Sequence, residues 1–161
     1  MMEPLAPRPQ SGSLTEMTEY VLPPHANALG NVFGGQIMSW VDLCAAICAQ
    51  RHAGRLCVTA MVDELRFQGP VRVGEVVHLT AKVTAAFRTS LEVSVVVLGE
   101  EPWSRREWPC VEARLTFVGV DADQRPAEVP PLLLDSDAIR ASQEAGIQRR
   151  KERLEKSGRS A

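Results

Sequence analysis

The chain has 161 residues, 45% of them hydrophobic and 24% charged, with a formal net charge of −2 at pH 7. That length suits one domain, able to bury about 68–70% of its unfolded surface without a disulfide or metal staple. The near-zero charge and 5% aromatic content argue against nucleic-acid or stable membrane partners, which call for basic faces or stacking rings.

The start, MMEPLAPRPQSGS, lacks the apolar core of a secretory leader, and no apolar run approaches the ~20 residues of a membrane span. Cys44, Cys48, Cys57 and Cys110 show no C-x-x-C spacing and read as reduced thiols of a cytoplasmic protein. Residues 1–14 are rich in Pro, Ser and Gly and are expected to be disordered. Residues 15–22 alternate weakly, as an edge strand would. Pro23 to Asn31 (PPHANALGN) is dense in turn formers and is expected to be an ordered loop.

A helix is predicted from Gly34-Gly35 to Ala53, stopped by Gly54. Ile37, Trp40, Val41, Cys44, Ala45 and Cys48 form one apolar face, but Leu43, Ala46, Ile47 and Ala49 make the others apolar too. Such a helix must be wrapped on nearly all sides. Four strand-like runs follow. Leu56 to Phe67 changes phase near Asp63–Leu65, which suggests a bulge. A second run puts Glu75, Val77, Leu79, Ala81, Val83 and Ala85 on one face. A third spans Leu91–Leu98. The last puts Val111, Ala113, Leu115 and Phe117 inward, and Gly99–Trp108 reads as a charged hairpin loop. One antiparallel sheet around one central helix is an α+β architecture. A small sheet covers only one side of that helix, so a second subunit is expected on the other. Residues 121–161 divide into a Pro-rich linker and a basic helix, Asp135 to Lys156, capped by Ser136 or Asp137. That tail, about +4, reads as a solvated surface helix, with a regulatory or membrane-surface role as the other reading.

Three features carry chemistry. Asp42 is the sole carboxylate between Glu19 and Asp63 and sits inside the apolar helix. A desolvated carboxylate there is a general-base candidate, against the plainer reading of an Asp that meets a backbone donor. Gly34-Gly35 at the helix start offers unpaired N–H groups to an oxyanion. Asn27 in the loop offers an amide, although a lone Asn is more often a turn former. Asp42 lies seven residues, about 10 Å, beyond Gly35 on a regular helix. If both act on one carbonyl, they come from two subunits. Cys44 and Cys48 at i, i+4 fit core packing better than metal binding. His25 suits loop structuring or assistance to catalysis, and His52 suits the helix C-terminus. His78 falls on a polar strand face. No G-x-S-x-G elbow is present.

The run His25 to Asp42 (HANALGNVFGGQIMSWVD) closely resembles the signature of hotdog-fold acyl-CoA thioesterases, in particular the cytosolic acyl-coenzyme A hydrolases. RHAG at 51–54, CVTA at 57–60, VGEVV at 73–77, AKVTAAF at 81–87 and TSLEV at 89–93 continue the likeness over residues 15–120. The resemblance implies a five- to six-stranded antiparallel sheet around the helix, paired as a double hotdog and often assembled as a trimer of dimers. It implies hydrolysis of fatty acyl-CoA to free acid and CoA, with no cofactor and no metal. Asn27 and Asp42 match the family's catalytic pair, contributed by different units. CoA contacts fall on Ala60, Met61 and Val62 and on the turn Thr89, Ser90 and Leu91.

On these residues, Gly35 N–H binds the thioester oxygen and Asp42 activates water or attacks directly. Asn27 orients the water or the thioester. Arg66 and Arg88 are candidates for CoA phosphates or plain surface charges. Two other functions remain open: a non-catalytic acyl-CoA sensor, and a hotdog enzyme acting on carrier-protein thioesters, either a thioesterase or a dehydratase. The dehydratase reading lacks a helix His.

Overall fold

The computed structural model describes residues 3–158. Met1, Met2 and residues 159–161, including the Arg159 counted in the basic tail, lie outside the described residues. Helix α1, Gly34–Ala53, ends where the turn signal places it: Gly54 adopts φ 66° and its N–H bonds Gln50 O. Five strands, β1 (Thr15–Tyr20), β2 (Cys57–Phe67), β3 (Val76–Ala86), β4 (Ser90–Glu101) and β5 (Arg106–Gly119), form one antiparallel sheet in the order β1-β3-β4-β5-β2. The sheet curls around α1. Ile37, Trp40, Val41, Cys44, Ala45 and Cys48 meet Val77, Leu79, Val93, Val95, Leu115 and Phe117 in one buried core. Burying each such aliphatic or aromatic side chain contributes about 1.5–3 kcal/mol.

The wrapping stops halfway, as expected. Met38, Leu43 and Ile47 on α1 stay exposed, as do Val58, Met61 and Val62 on β2. β2 is an edge strand with β5 as its ladder partner. Its register shifts twice, between Thr59 and Met61 and between Val62 and Glu64. The second shift is the bulge that the hydrophobic phase change indicates, and Ala60 and Asp63 fall outside the ladder.

Several expectations need correction. The predicted loop Gly99–Trp108 is a short turn at residues 102–105, because its charged residues stay in strand with outward partners. His78 Nε2 bonds Glu100 at 2.7 Å. Trp108 covers Gly99, and its indole N–H donates to Pro70 O at 3.0 Å. A bulge at Thr84 turns Ala85 away from the core face, so that Ala85 pairs with Glu92 and Ala86 with Leu91.

Residues 3–14 are fixed rather than disordered. Arg8 N–H bonds Pro131 O, and Leu133 N–H bonds Arg8 O. Arg8 Nη1 also caps α1 by donating to His52 O at 2.8 Å, and Gln10 Nε2 donates to Val83 O at 2.7 Å. The partner segment 121–133 is anchored by buried Val129 and Leu132. Composition reads both stretches as loose, but distant backbone groups hold them. His52 does not serve as a charged group at the end of α1. Its ring is buried on Pro130 O, and that burial lowers its pKa.

Helix α2, Asp137–Lys156, is capped by Ser136 Oγ, which accepts from Ile139 N–H at 3.2 Å. It docks on the outer face of the sheet and is not a freely solvated helix. Ser142 Oγ donates to Thr84 O, and Gln143 bonds both N–H and C=O of Ala86 at 2.9 Å each. Gly146 lies against Ala85. Arg149 grips Glu92 through two bonds of 3.0 and 2.6 Å, and Arg153 grips Asp63 at 2.8 Å. Burial alone would raise the Glu92 carboxyl, but the bonds from Arg149 and Thr84 and the charges of Arg149 and Arg114 leave it lowered.

Candidate active site

The loop before α1 is built by its own residues. Asn27 Oδ1 accepts from Leu29 N–H at 2.9 Å and Asn31 N–H at 3.2 Å, an Asx-type turn. His25 is a loop-structuring residue: its Nδ1 accepts from Leu22 N–H at 3.1 Å, and its ring packs edge-on to Trp40 at 5.0 Å. Phe33 is the N-cap of α1 and supplies no side-chain cap bond. Its carbonyl takes the N–H groups of Gln36 and Ile37. The first-turn amides of Gly34 and Gly35 therefore keep the donor capacity of a helix N-terminus. A Cβ at Gly35 would meet nothing within 4 Å, so the space before that amide is open.

Asp42 is half-buried by this chain, not enclosed as the apolar helix suggests. Its Oδ1 accepts a 2.7 Å bond from Thr59 Oγ1 on β2. Gly35, Met38, Ser39, Asp42, Thr59 and Val62 line one open depression of about 310 Å³ with an apolar floor. Asn27 is not on its wall. The chain thus brings Asp42 and Gly35 to one depression, spaced along the helix, and keeps Asn27 apart.

Thr59 is the residue that sequence reasoning missed. It lies within the CVTA match, but nothing in its period or spacing sets it apart. A long-range hydrogen bond to the helix carboxylate marks it.

The candidate CoA contacts separate into two groups. Ala60, Met61 and Val62 are exposed on the bulged edge strand. Thr89 and Ser90 are half-buried at the β3–β4 turn, where Phe87 N–H bonds Ser90 O. Leu91 is a correction: the whole residue is buried in the core, laddered between Ala86 and Phe117, and it presents no surface to a ligand. Arg66 pairs with Glu64 at 3.0 Å and Arg88 with Glu128 at 3.7 Å, both exposed.

The thiols are inert by position. Burial pushes Cys44, Cys48, Cys57 and Cys110 up to about 11, and Cys44 Sγ donates to Thr15 O. Among the described residues, His78, Glu100 and Glu107 bring metal-type ligand atoms within 4.8 Å of one another. They line a different depression from Asp42, and His78 Nδ1 is bonded to Thr18 Oγ1. Among the described residues no helix is long and apolar enough to cross a membrane.

A curled sheet around one helix, with a carboxylate–hydroxyl pair beside a glycine helix start, defines a class of hotdog-fold thioester hydrolases. The comparisons agree. The thioesterase superfamily model matches residues 29–102. An uncharacterized acyl-CoA thioester hydrolase of Zymomonas mobilis is 36% identical over 135 residues, covering 81% of this chain and 85% of that protein. The acetyl-coenzyme A thioesterase of Mus musculus is 32% identical over 139 residues, or 86% of this chain. The chain spans only 25% of that mouse protein.

An acyl-CoA hydrolase of Staphylococcus aureus, solved with butyryl-CoA, CoA and CoA disulfide, superposes with TM-score 0.84. It is 29% identical, covering 93% of this chain and 92% of that one. Alanine variants of that hydrolase at an asparagine, an aspartate and a threonine have also been solved. A hexameric acyl-CoA thioesterase superposes with TM-score 0.89 at 32% identity, covering 95% of this chain and 98% of that one. The chain belongs to the thioesterase superfamily, among the acyl-CoA thioester hydrolases.

Proposed function

We propose that this chain hydrolyses fatty acyl-CoA thioesters to free acid and CoA, at a composite site completed by a second copy. The observation that carries the reading is the Thr59–Asp42 bond at 2.7 Å in an open depression with an apolar floor. Thr59 occupies one carboxylate oxygen and leaves the other for a water. Asp42 is then the general base. The Gly35 N–H of the second copy binds the developing oxyanion, where a helix N-terminus stabilises negative charge. The Asn27 amide of that copy orients the water or the thioester.

The exposed apolar residues of α1 and the half-paired edge of β2 are the surfaces on which the second copy docks. The hexameric relative supports further assembly as a trimer of dimers. Ala60, Met61 and Val62, with the Thr89–Ser90 turn, are proposed to contact CoA, and Arg66 and Arg88 its phosphates. The substrate supplies the reactive group, so no cofactor or metal is called for. The free buried thiols support a cytoplasmic setting.

Thiol release from acyl-CoAs of graded chain length tests this. Asp42→Asn keeps the acceptor for Thr59 and is expected to lower kcat by at least about 100-fold, the low end for a general base. Asn27→Ala is also expected to lower turnover. Unchanged turnover in a folded Asp42→Asn protein refutes the assignment. Tight acyl-CoA binding without thiol release by the wild type would favour the sensor reading.

A further inference from the structure

The two bulges of β2 bracket Ala60, Met61 and Val62. At the first, Thr59 donates to Asp42. At the second, Asp63 stands outside the ladder, yet both of its oxygens are held. Oδ2 accepts from Thr116 Oγ1 at 2.6 Å, and Oδ1 accepts from Arg153 Nη1 at 2.8 Å. Thr116 is the register partner of Met61, so the Asp63 side chain reaches back across the bracketed residues. Arg153 comes from α2, 90 positions along the chain.

A bulged residue has no ladder partner to fix it, and an edge strand has no second neighbour to compensate. The shielding of this pair, with side-chain exposures of 14% for Asp63 and 26% for Arg153, sets it apart from the exposed pairs of the surface. One turn earlier, Arg149 anchors α2 to Glu92, whose side chain is only 3% exposed. The last turns of α2 and residues 61–64 form opposite walls of a cleft of about 530 Å³.

We propose that α2 is a positioning strap for the active site: Arg153, by holding Asp63, fixes the double bulge of β2 that sets Thr59 against Asp42. Arg153 and Asp63 are positioning residues and touch no reacting atom. The kinetic part of this rests on the acyl-CoA hydrolase reading; the structural part does not.

The test uses the full chain in its native assembly, with thiol-release kinetics and amide hydrogen exchange of residues 58–64 measured in parallel. Arg153→Gln is expected to lower kcat by about tenfold or more, with a smaller change in KM, since sub-ångström misplacement acts on the transition state. Exchange across 58–64 should accelerate. Arg153→Lys, which keeps the charge and reach, should recover part of both. Asp63→Asn combined with Arg153→Gln should cost no more than the larger single effect, as expected for one shared interaction. Arg140→Gln, which breaks an exposed pair with Asp137 on the same helix, should change neither readout.

A raised KM at unchanged kcat overturns the strap and makes Arg153 a direct substrate contact. Unchanged exchange in 58–64 overturns it whatever the kinetics. Accelerated exchange at full kcat also overturns it, because the bulge would then be free without consequence. If the wild type releases no thiol, the hydrolase reading fails, while the exchange arm still decides whether Arg153 holds the bulge.

Discussion

Gly146→Ala is a sign test of how α2 is seated. In an exposed helix, replacing an interior glycine with alanine stabilises by about 1 kcal/mol. Here the added Cβ would land on the Ala85 Cβ far inside van der Waals contact, with Glu92 Oε1 also near at 3.5 Å. The Ala85 Cβ is fixed to the β3 backbone and cannot swing aside. Restoring a carbon–carbon separation of about 3.5–4.0 Å requires α2 to lift by roughly 1 Å or more. That lift stretches the Arg149–Glu92 bonds of 2.6 and 3.0 Å and the paired Gln143–Ala86 bonds of 2.9 Å out of hydrogen-bond range. One charge-assisted bond at about 1.5–3 kcal/mol and one amide bond at about 1 kcal/mol outweigh the propensity gain. The net expectation is destabilisation by about 1.5–3 kcal/mol. Urea unfolding at one fixed protein concentration measures it, because self-association adds to apparent stability. A stabilised Gly146→Ala protein would refute the seating of α2 on Ala85.

Two other outcomes follow from the titrating groups. The Glu92 carboxyl has a lowered pKa in the fold, so its contribution is present above the ordinary value of 4.5 and is lost as pH falls below that toward the folded value. The stability gap between wild type and Glu92→Gln should therefore be widest near neutrality and shrink on acidification. A gap independent of pH counts against the ion pair with Arg149. The four thiols, pushed up to about 11 by burial, should react slowly with a maleimide at pH 8 and rapidly once the protein is unfolded. Fast labelling of the native protein by mass spectrometry would contradict the packing around them.

Much of the fold was legible from the chain, because hydrophobic period and turn chemistry are local. The apolar faces of α1 and the left-handed stop at Gly54 come directly from residue order. So do the strand order in sequence and the bulge near Asp63. Asp42 also stood out, since a lone carboxylate in an apolar helix is conspicuous without any structure. What was missed shares one cause. Thr59, the docking of α2 and the ordering of residues 3–14 all depend on polar bonds between residues far apart in sequence. Ser142, Gln143, Gly146, Arg149 and Arg153 do lie on one helical face. However, a face that docks through hydrogen bonds looks, in composition, like one that faces water.

By itself the sequence determined the elements, the half-covered helix and the single carboxylate on it. Only the tertiary structure decided what that carboxylate touches, and that the basic tail is fastened to the sheet. Periodicity records which side of an element is apolar. It carries no information on which distant donor a polar atom will find, and the bonds at Asp42 and Asp63 are of that second kind.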